Sequence, residues 1–321
     1  MRADTAHEII ATQPDARRAF DYAADSYAPR LLGHVLNREI AIAELRDSRF
    51  GRLLARPNMA ALAGFSGSGR IGPGMLGLAD GHGIESRELA QNYIVNLDIW
   101  DGDDRSWRMW QVSRRGVNLV VRLDFTARHD AAYRDFLRPG KTRPFAYFAH
   151  PGNRDGYNTL AWARIDLDLD TGEALIEEVQ TDWLRLAALF HKRVKAGARA
   201  VLNGQKIPAE RVHAYMELIL APHKALWQEA MMMAALRVIV EDIGIRSIFM
   251  HTPESGARLK NIGEKRVPPR SIYSDLPRKF CFSRGSTLPR FLEGGATRRI
   301  AALRRKAALP MWHLDLTPGA L

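Results

Sequence analysis

The stretch from Leu160 to Leu169 alternates without a break, with Ala161, Ala163, Ile165, Leu167 and Leu169 on one side and Trp162, Arg164, Asp166 and Asp168 on the other. Successive side chains of a strand point to opposite faces, so this pattern suits an extended strand and not a helix. Asp170-Thr-Gly-Glu173 follows as a turn, and residues 174 to 182 run back as a second strand. The result is a long antiparallel hairpin with an apolar face to cover. The next strong segment can cover it. From about Lys224 to Asp242, apolar Met232, Leu236, Ile239 and Ile243 recur at spacings of four, three and four, and Gly244 stands where a helix would end. Ile245 to His251 then reads as a short buried strand, and Glu254 to Asn261 as a short helix. The expected fold class is α/β (α+β), a mixed, mainly antiparallel sheet with helices on both sides.

Around this centre the chain divides by composition. Residues 1–63 read as a helical N-terminal region, with apolar stripes at Leu31, Leu32, Val35 and Leu36 and at Ile40, Ile42, Leu45, Leu53 and Leu54. Residues 64–83 are glycine-rich and are expected to be an exposed loop or linker. Residues 84–284 form the core. It holds strands at Asn118–Phe125 and Arg143–Ala149, a short helix at Ala131–Leu137, a helical insertion at 183–222 with a turn at Asn203-Gly204, and an extended run from Ser271 to Ser283. Residues 285–321 are a basic tail, in which Thr297 to Leu309 fits an amphipathic helix.

Composition narrows the setting. No run approaches the ~18 apolar residues of a membrane-spanning helix, and the first residues lack the apolar centre of a secretory signal, so a cytoplasmic protein without membrane attachment is expected. Cys281 is the one cysteine and reads as a buried structural residue. The histidines show no ligand spacing, so no metal site is expected. A net charge of +11 favours an anionic partner, nucleic acid among them, with Arg298, Arg299, Arg304 and Arg305 of the tail as the candidate contacts.

Three segments hold the candidate chemistry. In Glu177-Glu-Val-Gln-Thr-Asp-Trp183, strand alternation puts Glu178, Gln180 and Asp182 on one face, with Trp183 beside them. Polar groups in line at the end of an apolar strand are costly to bury without partners, so they fit either a solvated face or a ligand site. In Met250-His-Thr-Pro-Glu-Ser-Gly256, a strand opens into a helix whose free N–H groups would suit an anion near His251, Thr252 and Ser255; a simple Thr252 N-cap fits equally well. The third segment, Val267 to Phe280, contributes Arg270 and Tyr273. The loop Ser66–Gly72 lacks the Gly-Lys-Ser ending of a phosphate-binding loop.

The strand Ile176–Trp183, a helix opening near Trp227, Gly244 and its strand, and Tyr273-Ser-Asp-Leu-Pro277 together resemble the Glu-x-Gln-Ser-Asp-Trp domain of large polyvalent phage proteins. The order hairpin, helix, strand, short helix, strand over residues 158–284 is also similar to the acyl-CoA-binding core of GNAT-type acyltransferases. That resemblance implies an N-acyltransferase with Glu178 or Asp182 as base, Tyr273 as acid, and acetyl-CoA or another acyl-CoA as donor. GNAT-type enzymes seat the donor pyrophosphate on a glycine-containing turn after the central strand. Thr181-Asp-Trp-Leu-Arg-Leu has no glycine, so acyl-CoA affinity is expected to be weak or absent. Two other classes compete: a nucleic-acid-associated accessory protein without catalysis, and a structural or interaction module.

Overall fold

A computed structural model describes residues 1–13, 17–79, 90–100, 111–152, 156–260, 269–293, 300, 303 and 309–321. In chain order its strands are β1 (Arg17–Tyr22), β2 (Ile40–Ala41), β3 (Arg70–Ile71), β4 (Gln91–Trp100), β5 (Asn118–Phe125), β6 (Thr159–Asp168), β7 (Glu173–Gln180), β8 (Val201–Leu202), β9 (Gln205–Lys206), β10 (Ser247–His251), β11 (Ser283–Gly285) and β12 (Met311–Asp315). Eight of them make one sheet in the order β1-β4-β5-β6-β7-β10-β12-β11, with the expected hairpin β6–β7 in its middle. Neighbours in this sheet run antiparallel except β7 and β10, which are parallel. A parallel pair needs a long crossover, and residues 181–246 supply it with helices Asp182–Lys195, Ala209–Ala214 and Ala221–Arg237. The mixed α/β class read from the sequence is the class of the fold.

Both faces of the sheet are covered. On one, Met231 to Leu236 of the long crossover helix are buried in the same core as Ala161, Ala163 and Ile165 of β6 and Ile176 and Val179 of β7. On the other, Leu175, Phe249 and Met311 pack with Leu259, Leu288, Phe291 and Leu292, while Trp162 and Val120 pack with Trp100 and Val112. The polar side of β6 is therefore buried and not solvated. Arg164 lies over the Trp100 ring, and Asp166 takes the Arg114 guanidinium at 2.6 Å.

Several expectations need correction. The first 63 residues are not all helical, because Arg17–Tyr22 is an edge strand paired with β4. Its buried Phe20 and Tyr22 alternate, but the run is too short and too charged to stand out. The glycine-rich stretch is no linker up to residue 79: β3 pairs with β2, and helix Pro73–Ala79 buries Leu76. Residues 143–149 turn and do not form a strand. Ser271 to Lys279 is helical, not extended, since Pro277 falls in the first turn of helix Leu276–Lys279, where no backbone donor is required. The expected tail helix lies outside the described residues apart from Ile300, Leu303 and Leu309, and so do Arg298, Arg299, Arg304 and Arg305. Beyond it, the tail adds β12 to the sheet between β10 and β11. Gly244 does end its helical segment, at a φ of 85° that favours glycine.

Candidate functional site

β7 and β10 pair from Ser247 opposite Glu173 to Met250 opposite Ile176, and then part. Two local features open the fork. On β7, Arg164 opposes Glu178 and Ile165 opposes Ile176, so Glu177 is the extra residue of a β-bulge. On β10, His251 ends the strand and Thr252 caps helix Pro253–Leu259. β7 runs on to Gln180 with β6 as its remaining strand partner. The gap is a cavity of about 470 Å³ with Val179, Leu184, Trp227, Ile272 and Tyr273 as apolar wall and Glu178, Gln180, Arg185, Gln228 and Lys260 as polar groups.

The bulge also resets the faces. Strict alternation would separate Glu177 from Glu178. The extra residue instead places Glu177, Glu178 and Gln180 on the side of β7 away from Ile176 and Val179. Glu177 is fully buried and accepts hydrogen bonds from the Ser113 backbone N–H at 2.8 Å and the Ser113 hydroxyl at 3.0 Å, with His251 Nε2 at 3.0 Å. The Lys260 ammonium stands 3.7 Å from its carboxylate and donates to its carbonyl. Burial is the largest influence on Glu177 and pushes its carboxyl up, but His251 and Lys260 outweigh it and leave the pKa at about 2. This network sits beneath the fork and fixes the bulge.

Glu178 lines the cavity, and Arg164 grips its carboxylate through Nε at 3.2 Å and through a second, closer contact. Burial pushes this carboxyl up, and the Arg164 and Lys260 charges bring it below the usual range, so it serves as a counter-ion. Tyr273 reaches the fork from the Ser271 turn, where its hydroxyl oxygen accepts the Val179 N–H at 3.4 Å. Burial pushes that hydroxyl far above its ordinary pKa, so it keeps a proton. Arg270 is exposed between the lining residues Pro269 and Ser271.

Asp182 is not on the strand but is the first residue of its helix, one position past the N-cap Thr181. It collects His150 Nδ1 at 2.9 Å, Gln180 Nε2 at 2.9 Å, Trp162 Nε1 at 3.2 Å and Arg185 at 2.6 Å. Burial acts upward on its carboxyl, and these partners, His150 first, hold it below the carboxylate range. Gln180 and Arg185 line the cavity, and Asp182 and His150 lie behind them, joined to the wall through Gln180 and Arg185. His150 Nδ1 lies 2.9 Å from Asp182 and 3.0 Å from Gln180 Nε2; in the tautomer that donates Nδ1–H to the carboxylate, Nε2 is the nitrogen able to take a proton. Sequence reading passed over His150 because it is 32 residues from Asp182 and belongs to no local motif.

Four expected ligand residues do not face the cavity. Trp183 points into the core among Phe125, Tyr133 and Phe145, and its Nε1 donates to Tyr215 at 2.9 Å. As the second residue of a helix that packs on the sheet, it lies on the buried side. His251, Thr252 and Ser255 are buried in hydrogen bonds of their own. Thr252 Oγ1 accepts the Ser255 N–H at 3.2 Å and Ser255 Oγ accepts the Thr252 N–H at 3.0 Å, a capping box that uses donors once available to an anion. Thr252→Ala should therefore cost about 1 kcal/mol. Urea denaturation of the two proteins measures it, and an unchanged midpoint would remove the cap from the account.

Among the described residues, no group of three or more His, Cys, Asp or Glu side chains is placed to hold a metal ion. No helix among them is long and apolar enough to cross a membrane. No family model matches the chain, and neither curated proteins nor solved structures provide a match.

Proposed function

We propose that the chain is a diverged GNAT-like N-acyltransferase whose thioester donor lies in the fork between β7 and β10, with His150 as proton acceptor and Tyr273 as proton donor. One observation carries the reading: a parallel strand pair that separates at a bulge and leaves a largely apolar cavity lined by a proton-bearing tyrosine, with a carboxylate-oriented histidine bonded to its wall residue Gln180. An amine attacks the thioester carbonyl, a C–N bond forms and the C–S bond breaks. The amine's proton passes to His150 Nε2, and the departing thiolate takes the Tyr273 proton. Asp182 steadies the imidazolium that results. Glu178 keeps its Arg164 partner throughout and is not the base. The resemblance in element order supports the same chemistry.

The start of helix Asp182–Lys195 does not fit a pyrophosphate. Thr181 Oγ1 already accepts the Leu184 N–H at 3.2 Å, and the Asp182 carboxylate stands in the first turn, where it would repel phosphate. Donor recognition then rests on the thioester and its pantetheine-like arm. S-acyl-pantetheine should be used with a kcat/KM within about tenfold of acyl-CoA, a difference under about 1.4 kcal/mol. Thiol release with both donors against a panel of amines is the measurement. Release from neither donor, or a preference for CoA above about a hundredfold, rejects this reading.

A further inference from the structure

The N-terminal helices meet the segment after Tyr273 at a second cleft, of about 480 Å³, lined by Tyr27, Arg52, Arg56, Asp275, Arg278 and Lys279. Two cations come from each side. Each is held by contacts that leave donors over. Arg52 donates one N–H to the Arg278 carbonyl at 2.6 Å, and the Arg278 guanidinium sits 5.5 Å from the centre of the Trp312 ring. The Lys279 ammonium pairs with Glu229 and lies 5.2 Å over the Tyr27 ring.

The other carboxylates match these cations poorly. Asp25 stands 3.8 Å from Arg56 and 3.6 Å from Lys279, beyond hydrogen-bond reach, and its buried Oδ1 has no hydrogen-bond partner. Asp275 is 3.4 Å from Arg278 and 71% exposed, where an ion pair is worth little. Three guanidinium groups and one ammonium thus converge with much of their donor capacity unspent. A guanidinium fork matches the oxygens of a phosphate, and an ammonium adds a compact charge.

We propose that this cleft binds a phosphate group carried by a small molecule, a phosphomonoester or a diphosphate. Tyr27 is 1% exposed, with Lys279 over its ring and Phe280 stacked at 4.6 Å. It offers no platform for a nucleic-acid base, which favours the small molecule over a nucleic-acid strand. The site is independent of the acyl-transfer reading and gives the N-terminal helices a part in recognition.

Isothermal titration of the full chain with inorganic pyrophosphate, and separately with a short single-stranded DNA, tests the proposal. Pyrophosphate should bind, and the double variant Arg52→Gln, Arg56→Gln should weaken it at least tenfold. Arg278→Gln, at a more exposed position, should weaken it as well, which guards against a double variant that fails to fold. Circular dichroism checks the fold of each variant. The proposal is overturned if pyrophosphate does not bind, if folded variants bind it as tightly as the parent, or if only the DNA binds.

Discussion

Glu177→Gln is expected to destabilise the fold by about 3–5 kcal/mol at neutral pH, the cost of removing one partner from a buried charge pair. The glutamine keeps the shape and an acceptor for Ser113. It leaves the Lys260 ammonium, 4% exposed, with Glu178 as its remaining carboxylate and turns an N–H₂ group toward other donors. The effect has a pH signature. Glu177 has a folded pKa of about 2 against an ordinary 4.5, so its contribution is fully present above pH 4.5 and fades as pH falls toward 2. Urea denaturation at pH 7 and at pH 3 should therefore show a gap between parent and variant that narrows in acid. A loss below about 1 kcal/mol at pH 7 would mean that the network beneath the fork does not hold the bulge.

This residue also marks how far the sequence could be read. The alternation of β6, the turn at Asp170–Glu173 and the helix ending at Gly244 are local patterns, and they were legible because strand and helix periods are set by neighbours in sequence. They carried the centre of the sheet and the parallel partner strand with it. The bulge was not legible. It is defined by which residue of β6 opposes which residue of β7, and Glu177 and Glu178 look alike until that register is known. The edge strand Arg17–Tyr22 and the inserted strand Met311–Asp315 were missed for a related reason. Each is six residues or fewer, and each is stabilised by a partner distant in the chain. Glu178 and Gln180 do line one cavity, which Tyr273 joins, whereas Asp182 and Trp183, expected beside them, do not line it because the strand ends earlier than its alternation suggested.

If acyl transfer is the chemistry, His150→Gln should lower kcat by about 10²–10⁴-fold, the usual contribution of a positioned general base, while the KM for the donor stays within about threefold. The apolar wall that would hold the donor is made by Val179, Leu184, Trp227 and Ile272, and the substitution changes none of them. Asp182→Asn should fall in the same range by a different route. An amide can donate to His150 Nδ1 as well as accept from it, so the ring is no longer held with Nε2 ready for a proton. Because the two residues act as one unit, the double variant should be no slower than the slower single variant by more than a few-fold. A structural role for the pair would give another pattern: losses that track unfolding and add between sites. Thermal melts of the three variants separate the cases. Retention of kcat within about threefold in a folded His150→Gln protein would return the proton to another acceptor, and Glu178 could then serve only by releasing Arg164.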